Sequence, residues 1–306
     1  MSKTLYFAKI NINSASTYKI LKGQETVGNI MSKLSEKIQN NIKYTYTIER
    51  VVKGETLTTT QEFSFTGINK VEIDSELMIV GGVVKTAKVN INSINKTSGE
   101  KTTTSLDSDE VVNFCFYPKK EIVTYYCALK FGHATFAYAF EGLINKAFTE
   151  ENFKVAKLTN GVSLDDIKGS LQLIRNIKTL QIDIIPPNPP RDIIKKLEEH
   201  GEIKIKSFES GRITERSTIF KSSYESGLDT TSEEISKELD DATAVHSKIS
   251  VETATRNGYV SVLAINDKGT EYNTNTEKVV KQRMSDNIVG DNSFAKFVKG
   301  IIEKIF

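Results

Sequence analysis

The chain contains 306 residues, of which 38% are hydrophobic and 26% charged, and its formal net charge is +2. This length exceeds the ~100–200 residues of a typical domain, so we expect two domains or subdomains with sizeable cores. The nearly balanced charge excludes a general attraction to polyanions, and no apolar run approaches the ~20 residues that a membrane-spanning helix needs.

Patterning in the first hundred residues predicts one helix and several strands. The helix over 26–40 follows from apolar residues that recur at helical spacing, namely Val27, Ile30, Met31, Leu34 and Ile38. Strands are expected at 5–12, 44–52, 62–65 and 76–94. Gly81–Gly82 interrupts the last strand and predicts a bulge or a sharp twist. The polar residues 95–109 predict a mobile loop or a hairpin tip.

Strands over 111–117 and 122–129 are predicted to form a hairpin around Pro118–Glu121. In this register Cys115 lies opposite Thr124, and Cys127 projects from the other face, so we expect no disulfide. With two cysteines and no signal peptide, the chain is expected to be cytoplasmic. A helix over 135–148, a strand over 153–158 and a brief helix that begins at Ser163 come next.

The stretch from Leu171 to Glu199 is the most strongly patterned part of the middle of the chain. Ile177–Ile185 predicts a buried strand that ends at two prolines. Asn188 is a good N-cap for a helix, and His200 lies near that helix's expected end at Gly201. A second strand over Glu202–Phe208 completes a predicted strand–helix–strand unit.

Further along, a helix is predicted over 233–244 and strands over 248–253 and 259–266. Together these elements predict an α+β fold, with β-rich mixed or antiparallel sheets and several packed helices. We divide it into an N-terminal α+β domain (1–100), a second α+β domain (110–285) and a C-terminal amphipathic helix (286–306).

The C-terminal helix carries the sharpest apolar stripe in the sequence. Its members are Phe294, Phe297, Val298, Ile301, Ile302 and Ile305. The stripe either packs on the chain's own core or binds a partner, which could be a second copy or a companion protein's groove. Under the second alternative, deletion of 292–306 would leave a folded core with a lower oligomeric state or weaker partner binding.

Candidate chemistry is sparse. Asp183, followed by Glu202 and Lys204 on a later strand, resembles the acid…Glu-x-Lys pattern of metal-dependent nucleases, in which two carboxylates would hold Mg²⁺. Solvent exposure of Asp183 is the simpler interpretation. Cys127 and His133 could approach each other, although a buried cysteine beside a loop histidine explains both. We predict no bound metal and no cofactor outside the nuclease alternative.

Basic residues beside aromatic ones mark the predicted hairpin as a candidate nucleic-acid site. Lys119, Lys120 and Lys130 could contact phosphates, and Tyr125 could stack on a base. A lysine-protected sheet edge with ordinary core tyrosines is the alternative.

From Phe114 to Lys281 the order of features resembles an uncharacterised bacterial family. The shared features are a hairpin before an aromatic helix, a turn at Pro187-Asn188-Pro189, and a late hairpin at Asn257-Gly258-Tyr259. The resemblance implies association with mobile-element and phage-defence gene neighbourhoods, and it carries no catalytic motif. We therefore expect an oligomeric, non-catalytic binding component of such a system that engages nucleic acid or a partner protein.

Overall fold

The computed structural model describes residues 3–52, 55–94, 101–127, 131–186, 202–244 and 251–305. Within these ranges the fold is α+β, as predicted, and it contains two antiparallel sheets. The strands are β1 (Lys3–Ile12), β2 (Lys43–Val52), β3 (Glu55–Ile73), β4 (Glu76–Ile94), β5 (Lys101–Tyr117), β6 (Ile122–Tyr126), β7 (Phe153–Lys157), β8 (Ile177–Ile184), β9 (Arg216–Lys221), β10 (Val260–Asn266), β11 (Glu271–Asn273) and β12 (Lys281–Met284). The helices are α1 (Ser16–Leu21), α2 (Val27–Lys37), α3 (His133–Ala147), α4 (Leu164–Leu173), α5 (Glu202–Ser210), α6 (Glu233–Ala244), α7 (Val251–Arg256) and α8 (Asp291–Ile305), and a short 3₁₀ turn covers Pro118–Lys120. None of the described helices is both long and apolar enough to cross a membrane.

The large sheet has the strand order β12-β1-β6-β5-β4-β3-β2, and β7 also pairs with β1. In its central part this sheet is covered on both faces, and successive side chains of a strand point to opposite sides. On β5, Phe114 and Phe116 belong to the core that α2 and α3 cover. Their neighbours Cys115 and Tyr117 belong to the core on the other face, which α8 covers.

The glycine pair in β4 marks an irregularity, as predicted. The register between β3 and β4 passes from Thr66 opposite Gly82 to Asn69 opposite Val80, so β3 carries an extra residue at this point. A Cβ atom at Gly81 would lie 2.5 Å from the Ile68 side chain. Glycine thus leaves room for the Ile68 side chain of the bulged strand, which a larger residue would have to displace.

The prediction of a loop or hairpin tip over 95–109 is wrong for 101–109, and 95–100 lie outside the described residues. Strand β5 begins at Lys101, and it pairs with β4 up to Ile94. The stretch contains few apolar residues, so it shows no alternation that would indicate a strand. The boundary predicted between the first two domains thus falls within a hairpin of one continuous sheet.

The small sheet has the order β11-β10-β8-β9 and packs against α4, α6 and α7. Leu180, Ile182 and Ile184 of β8 are buried, as their alternation predicted. The strand predicted at Glu202–Phe208 is instead the helix α5, and antiparallel β9 and β10 are the neighbours of β8. Short runs rich in Glu and Lys suit a helix, and this one buries Phe208.

Two further predictions concern the segments 188–200 and 248–253, which lie next to these elements in the sequence. The strand expected over 248–253 is wrong for 251–253, which begin the helix α7. The proposed caps Asn188 and His200 lie outside the described residues.

Candidate functional site

The hairpin that joins β5 and β6 has the predicted register, with Cys115 opposite Thr124. Both cysteines are free thiols, as predicted. Glu121 closes the turn in a left-handed conformation with φ of 57°, and its N–H donates to the Pro118 carbonyl. Lys9 from β1 bonds the Lys120 carbonyl and pairs with the buried Glu121 carboxylate. The turn is therefore fixed to the neighbouring strand.

Tyr125, predicted to stack on a base, is fully buried. Its ring stacks on Phe136 of α3 with 3.9 Å between centroids, and the centroid of the Tyr6 ring lies 6.0 Å away. Burial raises the pKa of its phenol far above the usual value. The prediction of a base contact at Tyr125 is wrong, because α3 covers the face that a base would need.

Lys119 lies at an exposed turn but is already paired. Its ammonium group and the Tyr117 hydroxyl both donate to the Glu76 carboxylate, which also lies 3.1 Å from the Lys299 ammonium group. The hydrogen bonds from Lys119 and Tyr117 lower the pKa of Glu76 to about 2. A phosphate would have to displace this carboxylate to bind Lys119. Lys130 lies outside the described residues.

The residues proposed for a nuclease site do not lie on paired strands. Asp183 of β8 faces Ser261 of β10 and Ser217 of β9, whereas Glu202 and Lys204 lie on α5. The Asp183 carboxylate accepts hydrogen bonds from Gln181 Nε2 at 2.9 and 3.0 Å. In the described part of the chain, no three His, Cys, Asp or Glu side chains come together in a group that could hold a metal ion.

The second candidate pair involved Cys127 and His133. Burial raises the pKa of the Cys127 thiol to about 11, so this cysteine is protonated at neutral pH and is a weak nucleophile. His133 is the first residue of α3, and its side chain lies outside the described part of the structure.

The apolar stripe of α8 packs within the chain. Phe294, Val298 and Ile302 are buried against the large sheet, and Phe297, Ile301 and Ile305 are half-buried at the border of the same core. Lys299 is also nearly buried and bonds the Ile73 carbonyl and Asp74. The structure thus shows the intramolecular alternative for the residues nominated as a partner-binding stripe.

Two hairpins continue beyond the pairing that joins them in the large sheet, and sequence patterning predicted only one strand of each. The pairing of β3 with β4 reaches only Glu62 and Thr86 in the described residues. Beyond that point β2 and β3 continue for seven residue pairs, and β4 and β5 continue for eight. We call these extensions the hairpin arms: residues 46–52 with 55–61, and residues 87–94 with 101–108. At about 3.4 Å per residue, each extends on the order of 25 Å past the shared sheet.

Three tyrosines lie at the base of the first arm. Tyr44 and Tyr46 alternate on β2, and Tyr138 approaches them from α3. The Tyr44 hydroxyl donates to that of Tyr138 at 3.1 Å, and the rings of Tyr46 and Tyr138 are 4.4 Å apart. Tyr46 remains 36% exposed. The i, i+2 spacing of Tyr44 and Tyr46 was the available signal for this tyrosine cluster.

Comparison with known proteins gives a family but no activity. A family model described as a domain of unknown function, DUF4747, matches residues 3–302. A search of curated proteins found no match. Because the match covers nearly the whole length, from β1 into α8, the chain belongs to the DUF4747 family.

Proposed function

We propose that this protein is a non-catalytic binding component that holds a partner protein through its hairpin arms and the tyrosine cluster. The continuation of both arms beyond the last pair between β3 and β4 is the observation that carries this proposal. A two-stranded hairpin alone is marginally stable in water, because it has no third strand or helix to cover it. A partner that adds a strand or covers a face would supply the missing contacts.

The charge of the arms favours a protein over a nucleic acid. Their described parts contain three basic and three acidic residues, so they offer no net attraction to phosphates. Threonine, valine and isoleucine dominate the same strands and suit pairing with another β-strand. Partly exposed tyrosines such as Tyr46 are typical anchors of protein interfaces. Binding of a nucleic acid would have to depend on base stacking at the tyrosine cluster alone.

We also propose that the partner belongs to a bacterial anti-phage or mobile-element system and that the complex is cytoplasmic. The resemblance over 114–281 supports this setting. Phage challenge of cells that carry the gene with its neighbours tests it: shortened arms should abolish any protection that the intact chain gives. Protection that survives the shortening would contradict a role for the arms in defence.

Removal of the arm formed by residues 87–94 and 101–108 tests the proposal and leaves the shared part of the sheet in place. Thr86 and Asp109 are directly paired, so an Asn-Gly turn can replace residues 87–108 between them. Cross-linking and quantitative mass spectrometry of the intact and shortened chains should show a partner protein that is lost on shortening. The exposed Leu173 provides a matched control as Leu173→Ser, which should keep the partner.

Three outcomes would contradict the proposal. In the first, the shortened chain retains the same partner protein. In the second, fluorescence anisotropy shows that the chain binds an oligonucleotide and that Tyr46→Ala abolishes this binding, which would indicate a nucleic-acid partner. Mg²⁺-dependent cleavage of DNA or RNA that is lost in Glu202→Ala would replace the binding role with the nuclease alternative.

A further inference from the structure

A cleft of about 360 Å³ lies between α1 and the segment that follows α5. This volume falls within the ~300–1,000 Å³ range of small-molecule sites. Its walls include Tyr18, Lys19 and Lys22 on one side and Glu209, Arg212 and Thr214 on the other. We propose that the cleft binds a small phosphorylated molecule of about mononucleotide size, independently of the hairpin arms.

The charge of the cleft matches a phosphate monoester. Three of the lining side chains are cationic and one is anionic. Glu209 is already paired with Lys22, so the positive excess belongs to Lys19 and Arg212. A phosphate monoester carries a charge of about −1.5 to −2 at neutral pH, and lysine and arginine are its usual ligands.

Helix capping does not account for these cations. Lysine and arginine near a helix end often bond the last free carbonyls. Here backbone N–H groups already do so: that of Gln24 donates to the Lys19 carbonyl at 2.8 Å, and that of Gly211 donates to the Ser207 carbonyl at 3.0 Å. The Ile213 N–H similarly bonds the Phe208 carbonyl at 2.8 Å. Capping of these carbonyls therefore does not require the side chains of Lys19 and Arg212.

Arg212 is the left-handed residue that ends helix α5. Its φ is +53°, its N–H donates to the Glu209 carbonyl at 2.9 Å, and the next N–H, that of Ile213, donates to the Phe208 carbonyl. This pair of hydrogen bonds is the usual end of a helix, and glycine is the residue most often found at the left-handed position. The helix end therefore explains the backbone, and it places the Arg212 side chain in the wall of the cleft.

The cleft is held together without a ligand. The Tyr18 hydroxyl donates to the Ile213 carbonyl, and the Lys22–Glu209 pair makes a second link across the cleft. Tyr18 is nearly buried, so its ring forms a fixed apolar wall. A ligand would place its phosphate between Lys19 and Arg212 and its ring system along Tyr18. Little ordering would accompany binding, because these walls are already positioned.

Calorimetric titration of the full chain with adenosine monophosphate, adenosine and inorganic phosphate tests the proposal. We expect adenosine monophosphate to bind, inorganic phosphate to bind more weakly and adenosine not to bind detectably. Arg212→Gly should weaken the binding of adenosine monophosphate at least tenfold, because it removes a charge-assisted contact. Glycine suits the left-handed backbone, so the thermal midpoint of this variant should not fall.

Lys268→Gln serves as the matched control, since Lys268 lies at an exposed turn outside the cleft. It should leave the affinity unchanged. The proposal is overturned if neither phosphorylated probe binds the intact chain, if adenosine binds as tightly as its monophosphate, or if Arg212→Gly retains full affinity. Equal weakening by Lys268→Gln would show nonspecific attraction and would overturn it as well.

Discussion

At the residue scale, Glu76 connects three separate parts of the chain. It accepts hydrogen bonds from Tyr117 of β5 and Lys119 of the following turn, and it pairs with Lys299 of α8. These partners, Lys119 first, lower its pKa from an ordinary value of 4.5 to about 2. A carboxyl whose pKa is lower in the folded state stabilises the fold above its unfolded pKa and loses that contribution as the pH falls.

We therefore predict that the free energy of unfolding contains a contribution from Glu76 that is lost as the pH falls from about 4.5 to about 2. The substitution Glu76→Gln should remove this contribution. Urea unfolding across a pH series should show the intact chain more stable than the variant at pH 6, with the difference narrowing towards pH 2. Glu150→Gln, at an exposed position, should follow the intact chain. Parallel curves for the intact chain and Glu76→Gln would contradict the assignment.

Residue-level patterns predicted orientation better than exposure. The alternation on β5 and the opposition of Cys115 and Thr124 follow from the two-residue period of a strand and the hairpin's short turn. The burial of Tyr125 depends on Phe136, which reaches it from another element. Nothing within the hairpin sequence reveals that contact, so a tyrosine nominated for base stacking proved to be part of the core.

At the element scale, α8 acts as a cover for one face of the large sheet. Phe294, Val298 and Ile302 are buried beneath it, and burial of such side chains contributes about 1.5–3 kcal/mol each. Their sum is comparable with the ~5–15 kcal/mol of a whole protein. We predict that deletion of 292–306 unfolds or aggregates the chain, as judged by light scattering and a thermal melt.

Point substitutions at Ile302 test the same contribution of α8 to the stability of the fold. Ile302→Val should cost about 0.5–1.5 kcal/mol and Ile302→Ala about 2–5 kcal/mol, because each enlarges a cavity under the helix. The exposed Val289 is the control, and Val289→Ala should change the free energy of unfolding by less than about 0.5 kcal/mol. A truncated chain that keeps the thermal midpoint of the intact chain but forms a smaller oligomer would instead support the partner-binding alternative for the stripe.

Elements were predictable where periodicity was long. The helix α6 and the strand β4 have the predicted limits, because each pattern extends over many residues. The short segments at 202–208 and 251–253 were assigned as strands and form helices. Runs of so few apolar residues fit either period, and the packing of Phe208 and Ala254 into the small-sheet core decides between them.

At the scale of the whole molecule, the order of strands departs furthest from the order of the sequence. β1 lies between β6 and β12, and β4 pairs with β5 across the boundary predicted at residue 100. Local patterns contain no information on such distant pairings. The division into 1–100 and 110–285 thus remains a prediction about independent folding, and the sheet provides a direct way to test it.

We predict that residues 1–100 do not fold alone. In this fragment β1 loses all three of its neighbours, and the core beside α2 loses Phe114, Phe116 and Phe140. Circular dichroism and urea unfolding of the fragment should show no cooperative transition. Co-expression with 101–306 should restore one, because the cut falls at the end of the β4–β5 hairpin and removes no pair of the sheet. A cooperative transition in the fragment alone would instead establish the N-terminal domain, and the large sheet would then be an assembly of two separately stable parts.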